Sequence, residues 1–171
     1  GERATNPCIG TERSDLVVSG CAVLSAICRQ WPIGRLRVAD RGVRDIEQAK
    51  AYLQEGPITS YRRHGFGFWA VTETSSGTVI GMCGLVKRDN LADPDLGYAF
   101  LPEHFGKGLA YEAAQACLLV AKQDFSLPRL LAIVNPDNTS SRRLLDKLGF
   151  NFIEMCQIYA DQPELCLYQN E

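Results

Sequence analysis

The sequence predicts an α/β fold in which helices flank a mixed sheet. Three observations carry this. Two strand-like runs, 66–74 and 78–86, are joined by Ser75-Ser76-Gly77, the composition of a hairpin turn. A third run, 96–101, is closed by Pro102 and feeds through a loop holding Gly106 and Gly108 into a long helical pattern. A fourth, 130–134, feeds a shorter helical pattern, and two further strand-like runs close the chain. Strands, then strand–helix–strand–helix, then strands again, is the order of a mixed sheet and not of a uniform doubly wound one.

Along the chain, Leu16, Val17 and Val18 read as a short first strand. Residues 22–29 fit a helix, with a competing strand reading because Val23 and Ile27 are β-branched. Residues 45–55 predict a helix. Asp45 and Gln48 form a capping-box variant, Ile46, Ala49 and Leu53 share one face, and Gly56-Pro57 stops it. In the hairpin, Gly65, Gly67, Gly81 and Gly84 lower strand propensity and point to bulges or close backbone approach. Residues 87–94 read as a polar loop. The helix after the glycine loop runs to about Gln123, with Ala110, Ala113, Ala114, Cys117, Leu118 and Ala121 in one apolar stripe. Small side chains there let a helix lie close to a sheet. Residues 138–148 predict a second helix, capped by Asn138 or Asp137 and ended by Gly149. Residues 150–159 and 165–168 predict the last two strands. A chain of 171 residues fits a single domain over 1–171.

Composition narrows the function. A formal net charge of −2 argues against nucleic-acid binding through broad phosphate attraction. No apolar run approaches the roughly 18–20 residues that span a bilayer, so no membrane partner is expected. Residues 17–28 are apolar but short, and Glu2, Glu12 and Asp15 precede them where a signal peptide would be basic. The seven cysteines include no C-x-x-C pair, and neither His64 nor His104 adjoins a cysteine, so no metal site is expected. Cys83 and Cys117 sit in apolar runs and read as buried thiols. An odd cysteine count without framework spacing points to a reducing, cytoplasmic compartment.

The segment Gly106-Lys107-Gly108-Leu109-Ala110-Tyr111 carries the chemistry. The first turn of a helix presents unpaired N–H donors and a partial positive charge, and glycine lets that backbone approach an anion closely. The loop begins like G-x-G-x-x-G, but Tyr111 stands at the third glycine. The next strand ends in Asn135-Pro136, where a dinucleotide fingerprint wants an acid. A P-loop fails because Leu109 follows Gly108. Two readings remain, a seat for another phosphorylated cofactor or a plain helix start. A second strand–helix corner, Asn135 to Ser141, is rich in hydrogen-bonding side chains. Two parallel strands that each feed a helix form a switch region where ligands collect.

On these residues the chain resembles the GNAT superfamily of acyl-CoA-dependent N-acetyltransferases, most closely the RimJ/RimL-like branch that acetylates ribosomal-protein N-termini. The likeness rests on Gly97-Tyr98, on Pro102-x-x-x-Gly106-Lys107-Gly108-x-Ala110-x-Glu112-Ala113, on Asn138-x-x-Ser141, and on Leu144-Leu145-x-Lys147-Leu148-Gly149-Phe150. Thr11-Glu12-Arg13, His64-Gly65-Phe66-Gly67-x-Trp69 and Gly81-x-Cys83-Gly84-Leu85 add to it. It covers about residues 40–171, and residues 1–40 diverge.

The resemblance implies a GNAT-type fold: a mostly antiparallel central sheet with one splayed parallel strand pair and flanking helices. It implies acetyl-CoA as co-substrate, with its pantetheine arm along Phe100 and Leu101. The pyrophosphate would sit on the turn formed by Gly106, Lys107, Gly108, Leu109, Ala110 and Tyr111. Many members carry Gln or Arg three residues before the first loop glycine. Here that position is Glu103, which leaves the anion to backbone amides and Lys107. Many members also place a Tyr general acid four residues before the Gly of Gly-Phe. Here that position is Leu145.

The branch offers Ser141 instead as proton donor to the leaving thiolate, against the plainer reading that Ser141 caps its helix. Asn138 contacts cofactor or caps. Asp95 is a candidate base, acting directly or through water, against a solvated loop carboxylate. Glu73, Glu103, His64 and His104 are further candidates, and water alone suffices for an α-amine with a pKa of about 7.7–8.0. Trp69 reads as core before substrate platform. Arg142 and Arg143 read as a solvated face, with the 3′-phosphate of CoA as the functional alternative. The expected partners are acetyl-CoA and an amine, of a protein N-terminus or a small molecule, with the chain a monomer or homodimer. The alternative class is a non-catalytic acyl-CoA-binding or sensing domain, which Leu145 and the irregular N-terminus keep open.

Overall fold

A computed structural model describes residues 9–10, 16–19, 51, 59–73, 75–100, 104 and 106–171. Among these residues one sheet holds eight strands: β1 (Ile9–Gly10), β2 (Leu16–Ser19), β3 (Phe68–Glu73), β4 (Val79–Val86), β5 (Asp95–Phe100), β6 (Leu130–Val134), β7 (Asn151–Cys156) and β8 (Leu165–Asn170). Their spatial order is β1-β2-β3-β4-β5-β6-β8-β7. Three helices accompany them, α1 (Thr59–His64), α2 (Leu109–Gln123) and α3 (Thr139–Lys147). Neighbouring strands are antiparallel except β5 and β6. The sheet is therefore mixed, mostly antiparallel and flanked by helices, as the sequence predicts.

Alternation along the strands sorts the apolar side chains onto two faces. On one face Trp69, Val71, Ile80, Cys83, Leu85, Leu96, Leu130 and Ala132 form the main core with Ala113, Ala114, Cys117, Val120 and Ala121 of α2. The expected stripe on α2 is thus largely the buried one, with Ala116 and Val120 joining it while Ala110 and Leu118 are only half-buried. Trp69 is core, and the Cys83 and Cys117 thiols are buried with their sulfurs 3.6 Å apart. On the other face, Leu91, Leu131 and Ile158 form a smaller cluster.

Gly84 of the hairpin and Gly97 of β5 act through close approach. A β-carbon on Gly84 would collide with the Gly67 carbonyl oxygen, and one on Gly97 would meet the Phe68 ring at 2.8 Å. The β3–β4 register shifts between Val71 and Thr72, the irregularity that glycine-rich strands tolerate.

Several expectations change. The strand expected over 150–159 ends at Cys156, where the Gln157 side-chain amide donates to the Ala160 and Gln162 carbonyls. The last strand runs on to Asn170. Helix α1 and strand β1 have no counterpart in the sequence reading. Helix α1, TSYRRH, shows no apolar stripe and follows the Gly56-Pro57 stop, while Arg62, Arg63 and His64 in its last turn suit a helix C-terminus. The helices expected over 22–29 and 45–55 lie outside the described residues, apart from residue 51, which is helical.

Candidate active site

The parallel pair opens almost at once. β5 and β6 share the single register pair Asp95↔Leu131, tied by the Leu131 N–H donating to the Pro94 carbonyl at 2.9 Å. Beyond it the two strands carry no ladder. Backbone groups alternate sides along a strand. Since Pro94 points at β6, the N–H and C=O groups of Tyr98 and Phe100 also point to the β6 side, where no strand meets them. Phe100 is therefore placed at the open end of a cleft. Leu101 and Glu103 lie outside the described residues.

The glycine loop sits at that open end. Gly106 and Gly108 have φ of +77° and +74°, the left-handed region that glycine enters without strain. Open space lies where β-carbons would project from both. Gly108 is the N-cap of α2 and offers no side-chain cap, so the first-turn N–H groups of Leu109, Ala110 and Tyr111 face outward from the helix start. Lys107 is exposed beside them. Tyr111 accepts a hydrogen bond from Gln115 Nε2 at 2.8 Å, and the Lys147 ammonium lies 4.2 Å from its ring centroid. That contact ties the first turn of α2 to the last turn of α3.

The second corner resolves which residue caps. Asn138 Oδ1 accepts from the Ser141 N–H at 3.1 Å and from Ser140 Oγ at 3.2 Å. Asn138 is thus the N-cap of α3, and its side-chain oxygen is occupied within the chain. Ser141 is not the cap. Its Oγ instead lies 2.5 Å from the Tyr98 hydroxyl, and either oxygen can donate. Tyr98 also reaches the Ser141 carbonyl at 3.4 Å. Burial pushes the Tyr98 phenol up to about 12, against the opposing effect of the Ser141 hydrogen bond, so it stays protonated in the working pH range. In the sequence, Tyr98 stands out only as part of the Gly97-Tyr98 signature. Its pairing with Ser141 joins residues 43 apart, and no local spacing signals it.

Asp95 lies elsewhere. It starts β5 at the closed end of the cleft, five residues and ~16 Å of strand from Phe100. It is 1% exposed and pairs with Arg88, Nε to Oδ1 at 3.0 Å. Arg88 in turn donates to the Tyr159 hydroxyl at 2.7 Å. The solvated-carboxylate alternative is corrected by the burial, and the structure does not bring Asp95 to Ser141 or to the glycine loop. Of the other candidates, Glu73 accepts from Ser75 Oγ in the hairpin turn. His64 is exposed and stacks on Phe66. Leu145 is 1% exposed and belongs to the main core, so the tyrosine position of many GNAT enzymes is filled here by packing. Arg142 donates to the Tyr168 hydroxyl at 3.0 Å and lies over the Phe152 ring, while Arg143 is exposed. Among the described residues no group of His, Cys, Asp and Glu is placed to hold a metal ion, and no helix is long and apolar enough to cross a membrane.

A mixed sheet with a splayed parallel pair and a glycine-started helix at its open end is the arrangement that the GNAT resemblance implies. Residues 22–151 match the model of the GNAT acetyltransferase domain, and the chain belongs to that family. It is 27% identical over 113 residues to the uncharacterized protein YkkB of Bacillus subtilis, a match covering 65% of each chain, just under two thirds of that relative's length. It is 35% identical over 124 residues to the uncharacterized N-acetyltransferase YnaD of the same organism, covering 71% of this chain and 70% of the relative. In fold it is similar to RimL, a ribosomal L7/L12 α-N-protein acetyltransferase solved with coenzyme A. That likeness has a TM-score of 0.78 and 15% identity, and covers 96% of this chain and 97% of RimL.

Proposed function

We propose that this chain is an acetyl-CoA-dependent N-acetyltransferase that moves the acetyl group directly to a primary amine of a peptide N-terminus or small molecule. The observation that carries the reading is the splay. Pairing between β5 and β6 is confined to Asp95↔Leu131, so the Phe100 backbone and the uncapped start of α2 face the same opening. The residues present fit the co-substrate. Gly106 and Gly108 leave open space where larger residues would project, and the first-turn amides supply donors for a pyrophosphate. Family membership supports the same reading.

When bound, acetyl-CoA supplies an activated acetyl thioester. The chain's residues do the rest. The amides of Gly106 to Tyr111, with Lys107, hold the pyrophosphate. The Phe100 backbone N–H donates to the thioester oxygen, where negative charge develops. Ser141 Oγ gives its proton to the departing sulfur. The amine gives up one proton to water, the sulfur gains one from Ser141, and water returns one to Ser141 Oγ, so transfer is proton-neutral overall and the serine is restored. Asp95 holds the closed end of the cleft through Arg88, and water takes the amine proton.

Acetyl-CoA incubated with a panel of peptides and small amines tests the reading. Release of free thiol together with an acceptor heavier by one acetyl group is expected. Tight acetyl-CoA binding with no transfer to any amine would favour the non-catalytic sensing domain. In the Ser141→Ala variant, kcat should fall about 10²-fold with acetyl-CoA affinity near wild type. An unchanged kcat would remove Ser141 from the chemistry.

A further inference from the structure

We infer that Tyr98 is a positioning residue that aims the Ser141 hydroxyl proton into the cleft, an inference that rests on the proposed acetyl transfer. A serine hydroxyl owns one proton and can point it in several directions. If that proton is spent on a neighbour inside the chain, none remains for the departing sulfur. Among the described residues, one competing demand on Ser141 is met elsewhere, and the Tyr98 hydroxyl lies nearer Ser141 Oγ, at 2.5 Å, than the Ser141 carbonyl, at 3.4 Å. The Ser141 N–H is satisfied by Asn138 Oδ1, so Ser141 Oγ is not drawn back to cap its own helix. Among the described residues, the side-chain partner of that Oγ is the Tyr98 hydroxyl at 2.5 Å.

The placement of Tyr98 suits a donor role. It stands three residues past Asp95, the last point at which β5 and β6 pair, so its hydroxyl reaches across the splay to the first turn of α3. Its ring is half-buried and packs against the main core, opposite Cys83 in the β4–β5 register. Burial favours the neutral phenol, which has a proton to give and no charge to desolvate. With Tyr98 O–H donating to Ser141 Oγ, the serine proton is released toward the cleft. Charge that builds on Oγ as this proton leaves is met by the Tyr98 donor. The ordered chain is Tyr98 O–H to Ser141 O–H to the departing sulfur. Its first bond positions and its second carries the proton.

The Tyr98→Phe variant deletes the hydroxyl and keeps the ring. The expected result is a fall in kcat of about tenfold, the size of one lost hydrogen bond in the transition state, with KM for acetyl-CoA changed less than twofold. The double variant Tyr98→Phe/Ser141→Ala should be no slower than Ser141→Ala alone, because Tyr98 acts only through the serine. An unchanged kcat in Tyr98→Phe, or effects that multiply in the double variant, would overturn the inference. Crystal structures of wild type and Tyr98→Phe with coenzyme A give a readout independent of turnover. Ser141 Oγ should leave its wild-type rotamer or spread over several in the variant, and an unmoved Oγ would overturn the inference. If the wild type binds coenzyme A but acetylates no amine, the functional reading fails by that result, while the Ser141 rotamer still decides the role of Tyr98.

Discussion

Asp95 and Ser141 show how much a residue's role depends on partners far away in the sequence. Both are polar residues beside a strand or helix end, and the sequence offers each a chemical role and a plain one. For Asp95 the plain role was solvation, yet the residue is buried against Arg88. Breaking a buried pair by removing one partner's charge is strongly destabilising, about 3–5 kcal/mol when the other charge stays buried. Arg88 is 15% exposed and can regain some water, so Asp95→Asn should cost about 2–3 kcal/mol. Urea unfolding should show that loss as an earlier midpoint with an unchanged slope, while kcat per folded molecule stays within about threefold of wild type. A kcat reduced 10²-fold or more at unchanged stability would make Asp95 the base. The sequence offers Ser141 as donor or cap, and the cap is Asn138. The Asn138 cap is legible locally, but the two pairings are not, because Arg88 meets Asp95 across a loop and Tyr98 meets Ser141 across the cleft.

At the scale of elements, what was legible is what local chemistry determines. The start of α2 follows from two glycines at positive φ, and the end of α3 follows from Gly149 at φ +89°. There the Gly149 N–H donates to the Asp146 carbonyl and the Phe150 N–H to the Leu145 carbonyl, the paired bonds of a Schellman ending. The central hairpin and β6 were likewise legible from apolar runs and turn residues. Helix α1 was not, because a six-residue polar segment has no apolar period to detect.

Glycines in the hairpin marked a real constraint whose cause needed the fold. Gly84 sits against the backbone of Gly67 and Phe68, which cannot swing aside, whereas Gly97 meets only the rim of the Phe68 ring. Gly84→Ala should therefore destabilise by about 3 kcal/mol, the upper end of overpacking costs, and Gly97→Ala by less. Thermal unfolding of the two variants checks the order. Equal losses, or a larger loss at Gly97, would contradict the steric account.

For the whole molecule, the organising feature is a sheet that pairs everywhere except beyond one point. Antiparallel ladders hold β1 to β5 on one side and β6, β8 and β7 on the other, and the two halves meet through Asp95↔Leu131. The closed end is fixed by a buried ion pair and the small Leu91, Leu131 and Ile158 cluster. The open end collects a glycine-started helix, a freed strand edge and a hydroxyl pair. The sequence resemblance points to this arrangement, since the motifs at Gly97-Tyr98, Gly106 to Ala113 and Asn138 to Phe150 flank the opening. The Tyr98–Ser141 bond between those motifs exists only once they are assembled.

The central claim is that acetyl-CoA sits in this opening, and hydrogen exchange with and without coenzyme A tests it most directly. The account predicts added protection at the amides of residues 106–112 and at Tyr98 and Phe100, with little change at Asp95 and Leu131, which already lie in the closed end. Coenzyme A binding that protects another part of the chain, and leaves residues 106–112 exchanging as before, would contradict it.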